Sequence, residues 1–209
     1  RQDVALALTI LLRQVIHREV DPAQLAPRHL QVPRLARPAG QQHRIERLPF
    51  VKALIDDDHV VWGVNDIFIG RKDHISSRYE VSFGNQKEHQ SSSGIIVSTG
   101  VGSTGWMRSV VTMLEGLLDE EQAHKLSSVP KATDLQLVFV VREPFPSPNT
   151  AKGLVTGRIV PGKPLTVYSQ MPRGGYIFSD GVVEKAIEWN AGSTVVVTVG
   201  DRYVQRIVG

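Results

Sequence analysis

A mainly β protein with one inserted helix, an α+β chain whose larger part is a β-sandwich-like domain, is what this sequence predicts. After Val60 the apolar residues fall into short runs at 60–69, 77–83, 94–99, 135–141, 154–160, 164–169, 175–179, 194–199 and 203–208, bounded by Gly, Pro and Asn. One segment, about 104–118, breaks that rhythm with Val110, Met113, Leu114 and Leu117 at helical spacing. So many strands around a single helix favour two packed sheets over an alternating parallel sheet.

Along the chain, residues 2–19 carry Val4, Leu8, Leu11, Leu12, Val15 and Ile16 at helical spacing, with Asp3 able to cap the start. From Asp21 to Pro49, prolines at 22, 27, 33, 38 and 49 argue against long regular elements. Residues 1–55 are therefore expected to form an N-terminal helix and a Pro-rich connecting region, and 56–209 a β-rich domain. The triplet Asp56-Asp57-Asp58 is expected as a solvated turn joining two strands rather than a metal site. Leu135 to Val141 is nearly wholly apolar, as a central strand should be. Pro144-Phe145-Pro146-Ser147-Pro148 reads as a stiff loop, and 194–199 with 203–208, around Gly200-Asp201-Arg202, as a terminal hairpin.

Composition narrows the function classes. The 209 residues, 41% hydrophobic, suit a globular protein with a sizeable core. The apolar stretch Val4 to Leu12 is far shorter than the roughly 20 residues a membrane-spanning helix needs. A cytoplasmic location and no membrane partner are expected. Without cysteine there are no disulfides and no thiolate chemistry, and the seven His show no paired ligand spacing, so no metal site is expected. The net charge of +3 comes from scattered Arg rather than a basic tract with interleaved aromatics, which does not indicate nucleic acid. An acidic, phosphate-bearing small molecule would profit equally from that balance.

The stretch Ser93-Gly94-Ile95-Ile96-Val97-Ser98-Thr99-Gly100-Val101-Gly102-Ser103-Thr104-Gly105-Trp106 reads as a buried strand, a glycine-rich loop and a helix start. Gly100, Gly102 and Gly105 let backbone approach a ligand closely, and the amides opening a helix are unpaired donors at the positive end of its dipole. The loop also fits G-x-G-x-x-G, but no acidic residue ends a second parallel strand about 20 positions on, and no Lys follows the glycines as a P-loop requires. A plain strand-to-helix turn is the competing explanation. Upstream, Asn65-Asp66 is a polar pair in the middle of the apolar run 60–69; such a pair is expensive to bury idle and suits ribose hydroxyls or base edges.

This pair followed by the Ser93 to Trp106 block resembles the NAD kinase family, where an Asn-Glu or Asn-Asp motif precedes a segment of the type D-G-x-I-V-S-T-P-T-G-S-T-A-Y. The chain keeps the G-x-I-V-S-T core and the G-S-T triplet in register. It departs at Ser93, where the family has Asp, and at Gly100, Val101, Gly105 and Trp106, which replace Pro, Thr, Ala and Tyr. Ser179-Asp180-Gly181 resembles the family's late Asp-Gly turn. The resemblance covers roughly residues 60–208. The family's G-G-D-G-T motif is absent from the sequence; Gln2-Asp3 is a candidate degenerate remnant of it, which makes Asp3 the candidate catalytic residue.

What the resemblance implies is a β-sandwich-like NAD kinase C-terminal domain, preceded by a helical and loop remnant of the α/β domain that brings the phosphoryl-transfer groups. The parent protein would phosphorylate the adenosine ribose 2′-hydroxyl of NAD with ATP or another phosphate donor, and this chain would supply the NAD-binding part. By resemblance Asn65 and Asp66 hold one NAD moiety, and Thr104, Gly105, Trp106 and Ser109 line the other side. Ser93, Thr99, Gly102, Ser103 and Asp180 complete the candidate set. Mg²⁺ would arrive on the donor phosphates. The resemblance also implies a homo-oligomer, toward which the apolar strands Ile95–Val97 and Leu135–Val141 point as surface that would pair with another copy. A non-catalytic nucleotide-sensing module, favoured by Ser93 and the missing G-G-D-G-T, and a related lipid or sugar kinase are the rivals.

Overall fold

A computed structural model describes residues 43–118, 129–148, 150 and 153–208. The expected helix 2–19, with Asp3, lies outside the described residues. Those described build two six-stranded antiparallel sheets. In chain order the strands are β1 (Arg44–Ile55), β2 (His59–Gly63), β3 (Asp66–Arg71), β4 (Ser77–Phe83), β5 (Gln86–Ser92) and β6 (Ile95–Ser98), then, after helix α1 (Trp106–Leu117), β7 (Leu137–Val141), β8 (Thr156–Ile159), β9 (Leu165–Ser169), β10 (Gly175–Ser179), β11 (Ile187–Glu188) and β12 (Thr194–Val208). The first sheet has the order β2-β1-β12-β9-β4-β5 and the second β11-β10-β3-β6-β7-β8. The described residues thus adopt the mainly β class with one inserted α-helix.

Alternation along each strand creates the core. Val51, Ala53, Ile55, Tyr79, Val81, Leu165, Val167, Val195 and Val197 of the first sheet pack with Ile67, Ile69, Ile95, Val97, Leu137, Phe139, Ile159 and Ile177 of the second in one buried cluster. The opposite face of the second sheet, carrying Phe68 and Ile96, is covered by Met107, Trp106 and Val110 of α1. Strands β3 and β6 therefore have apolar neighbours on both faces. This explains why Ile95, Ile96 and Val97 form an unbroken apolar run and are each fully buried.

Four elements differ from the sequence expectation. The run 60–69 is two strands: β2 belongs to the first sheet and β3 to the second, and the chain changes sheet at Val64-Asn65. Residues 44–49, expected as connecting loop, open β1, so the β domain includes 44–55 as well. The expected terminal hairpin is instead one long strand, β12, pairing with β1 from Arg44↔Val208 to Ile55↔Val195. Between the pairs Pro49↔Tyr203 and Val51↔Val199, Phe50 faces Gly200-Asp201-Arg202, so the turn-like triplet is a bulge and Pro49 sits where a missing N–H is tolerated. A Cβ on Gly200 would lie 2.7 Å from the Trp62 ring and 2.9 Å from the Phe50 carbonyl, so only glycine fits there. Finally, β5 was not apparent because Gln86-Lys87-Glu88-His89 is polar; it is an edge strand of the first sheet.

The Asp56–Asp58 triplet is the turn between β1 and β2, with Asp56 and Asp57 at φ 50° and 57°. The Asp56 carboxylate accepts the Thr194 amide at 2.7 Å and the Ser193 hydroxyl at 2.6 Å.

Candidate functional site

Where the chain changes sheet, three consecutive amides lose their ladder partners. The Asp180 carboxylate takes them: Oδ2 accepts from Val64 at 2.9 Å, and Oδ1 from Asn65 at 2.7 Å and Asp66 at 3.3 Å. Asp180 itself, at φ 51°, donates its amide to the Asp66 carbonyl at 3.0 Å. A residue that the sequence marked for ligand contact thus holds the β2–β3 crossing in place. A second clamp comes from Thr99, just beyond β6. Its hydroxyl donates to the Val64 carbonyl at 2.6 Å and accepts from the Val101 and Gly102 amides at 3.2 Å, while its own amide donates to the Asn65 carbonyl at 2.9 Å.

These clamps bring the glycine loop against Asn65-Asp66. A Cβ on Gly102 would overlap the Asn65 carbonyl, and one on Gly100 the Lys131 carbonyl. At these two positions glycine serves close packing of protein backbones. Gly105 differs: it is exposed, and a Cβ there would meet the Gly102 carbonyl only at 3.4 Å. Gly105 opens α1 without a side-chain cap, and no acidic residue occupies the first turn, so the positive end of the helix is not offset by its own side chains. Ser103 donates to the Gly100 carbonyl at 2.7 Å, whereas Thr104 and Ser109 are exposed.

Asn65 and Asp66 are where this arrangement leaves hydrogen-bonding capacity. Asp66 is only 6% exposed, yet no described residue donates a hydrogen bond to its carboxylate. Burial, reinforced by the nearby Asp180 carboxylate, pushes its pKa up to about 6. The Asn65 side-chain amide, partly exposed, likewise has no hydrogen-bond partner among the described residues. Asp66 pairs with Ser98 and shares a sheet face with Phe68, two residues on, the face that α1 covers. On that face the Trp106 ring stacks on Phe68, with centroids 5.5 Å apart and planes at 17°, and the Arg142 guanidinium lies 5.5 Å from the Trp106 centroid.

Of the residues singled out in the sequence, Asn65, Asp66, Thr99, Gly102, Ser103, Thr104, Gly105, Trp106 and Asp180 are brought to one end of β3 and β6 or to the turn leading from it. Ser93 precedes β6, and the six residues to Thr99 span roughly 20 Å of extended chain. Its amide donates to the Arg142 carbonyl at 2.9 Å. Phe68 and Arg142 were missed. Phe68 was accessible through the two-residue period from Asp66; Arg142 reaches Trp106 only through the pairing of β6 with β7. Among the described residues no three His, Asp or Glu side chains converge as a metal site would need, and no helix is long and apolar enough to cross a membrane.

No family model and no curated protein matches the sequence. Among solved structures, the chain is similar to an NAD kinase from Archaeoglobus fulgidus in complex with ATP, at a TM-score of 0.54 and 15% identity over 77% of this chain. The match spans 54% of that protein, about half its length. What this similarity shows is a distant relation of fold with an NAD kinase.

Proposed function

We propose that this chain is the nucleotide-binding part of an NAD kinase-like phosphotransferase, holding NAD at the end of β3 and β6 between Asn65-Asp66 and the Gly102–Trp106 turn. The observation that carries the reading is Asp66: a carboxylate on a residue only 6% exposed, taking no donor from the described residues and keeping only narrow contact with solvent, is placed beside the partly exposed Asn65 amide to accept hydroxyl or amino groups of a ligand. In this reading the Asp66 carboxylate accepts from ribose hydroxyls or a base amino group, and the Asn65 amide both donates and accepts. The uncapped start of α1, with the Thr104 and Ser109 hydroxyls, faces phosphate. Asp180 and Thr99 are positioning residues that fix the backbone of 64–66. The fold relation to an NAD kinase solved with ATP supports a nucleotide as the ligand class.

When bound, ATP would supply the phosphoryl group for the 2′-hydroxyl of NAD, and Mg²⁺ would enter on its phosphates, where charge neutralisation does most of the work. The same reading makes the protein a homo-oligomer. Titration calorimetry with NAD, NADP and ATP tests it: we expect NAD binding that weakens at least about tenfold in Asp66→Asn, the value of a hydrogen bond to a charged group, and by a smaller factor in Asn65→Ala. Absence of binding at millimolar nucleotide would refute it. The second reading, a non-catalytic nucleotide-binding module, is favoured by Ser93, which stands where the resemblance expects a ligand-holding Asp. NADP formation by the full-length protein separates the two, since a sensor binds and forms none.

A further inference from the structure

Beside α1, on the outer face of the second sheet, lies a groove of about 610 Å³, within the size range of small-molecule sites. Its lining is sorted by position. On β7, Val138 and Val140 face the groove and Arg142 follows at the strand's end, so an apolar floor leads over about 13 Å to a guanidinium. Helix α1 adds Trp106, Val110 and Met113, the last half exposed. Met113 and Leu117, 51% and 75% exposed, give the helix an apolar border that water covers at a cost.

The charged end is available to a ligand. Besides lying over the Trp106 ring, the Arg142 guanidinium makes one long polar contact among the described residues, 3.4 Å to Glu143, and its side chain is 30% exposed while that of Glu143 is 57% exposed. A guanidinium has five N–H donors, so most remain for an acceptor group. We infer that this groove binds a single-chain amphiphile, its tail along Val138, Val140, Val110 and Met113 and its anionic head, carboxylate or phosphate ester, at Arg142. The proposal does not rest on the nucleotide reading. Asn65, Asp66 and Asp180 do not line the groove, although Trp106 and Ser109 border both sites.

The three methionines of the chain make the test direct. Met113 and Met107 line the groove, and Met171 sits in the core between the sheets as an internal reference. With ¹³C-methyl-labelled methionine, decanoate, decyl phosphate and neutral decanol are titrated below their micelle-forming concentrations. We expect saturable shifts of the Met113 and Met107 resonances with Met171 unmoved. One or both anionic probes should bind about tenfold more tightly than decanol, and which of the two binds more tightly identifies the head group. Arg142→Gln should erase the anionic advantage while decanol binding stays, and Val140→Phe, which fills the floor, should weaken all three probes. The proposal is overturned if Met113 does not respond at millimolar amphiphile, if Met171 shifts together with the others as in detergent unfolding, or if Arg142→Gln leaves the preference intact. NAD binding measured by calorimetry with Asp66→Asn as its control reads the nucleotide site separately, since Asp66 does not line the groove, so failure of one leaves the other standing.

Discussion

Asp66 carries a stability cost whose sign can be worked out. Its pKa in the folded chain, about 6, lies above the ordinary carboxylate value of 3.8, so the folded state binds the proton more tightly than the unfolded. The stability from this group is therefore complete below about pH 4 and lost as the pH rises through about 6. Asp66→Asn keeps the shape and removes the charge. It should raise stability at pH 8 by on the order of 1–3 kcal/mol, with little difference at pH 4. Urea unfolding of both proteins at the two pH values measures this, and equal stabilities at pH 8 would show that the carboxylate has a partner after all. A stability gain coupled to loss of NAD affinity is the expected mark of a residue kept for ligand rather than for packing. The cost of Asp66 was legible in the sequence as a polar pair inside an apolar run. The role of Asp180 was not, because its three amide partners lie more than 110 residues away in the chain.

At the scale of elements, the site exists because β2 ends and β3 begins in different sheets. That crossing depends on the Asp180 clamp. Asp180→Ala removes the acceptor of three amides and leaves them without protein partners, so a loss of about 2–4 kcal/mol is expected. Asp180→Asn keeps one acceptor oxygen and tolerates the left-handed backbone at φ 51°, and should cost less than half as much. Thermal unfolding ranks the three proteins; an Asn variant as unstable as the Ala variant would mean that charge, not acceptor geometry, holds the crossing. Amide exchange should show the loss concentrated at Val64, Asn65 and Asp66. Strands with apolar alternation were visible in the sequence, and β4 and β10 fall at 77–83 and 175–179 as expected. Elements whose signal is set by distant neighbours were not. The edge strand β5 needs no apolar face on both sides, and Gly200-Asp201-Arg202 carries the composition of a turn although Trp62 and β1 hold it as a bulge.

For the whole molecule, the case for a homo-oligomer changes once the sheets are assembled. The apolar strands that suggested it spend most of their surface within the chain: Ile95–Val97 is fully buried, and Leu137, Phe139 and Val141 of β7 point into the core, leaving Val138 and Val140 to floor the groove beside α1. The outer face of the first sheet is the better candidate surface. There Val60, Leu54 and Val196 stand opposite one another across β2, β1 and β12, a cross-strand apolar ladder. Val60 is 39% exposed, and Tyr168 on neighbouring β9 is 40% exposed. Trp62, on the same face, is partly shielded by Lys52 and Arg202, whose cationic groups lie 5.4 and 4.4 Å from its ring. A second copy laid against this ladder would bury it without disturbing the Gly102–Trp106 turn, which leads from the other sheet. Light scattering of the full-length protein at tens of micromolar should therefore report a dimer or higher oligomer. Val60→Asp combined with Tyr168→Asp should shift it toward monomer while nucleotide affinity stays within about twofold, because charges placed at the centre of an interface oppose association and rim charges elsewhere do not. A wild-type monomer under those conditions would end the oligomer proposal, and an oligomer indifferent to the two substitutions would place its interface elsewhere.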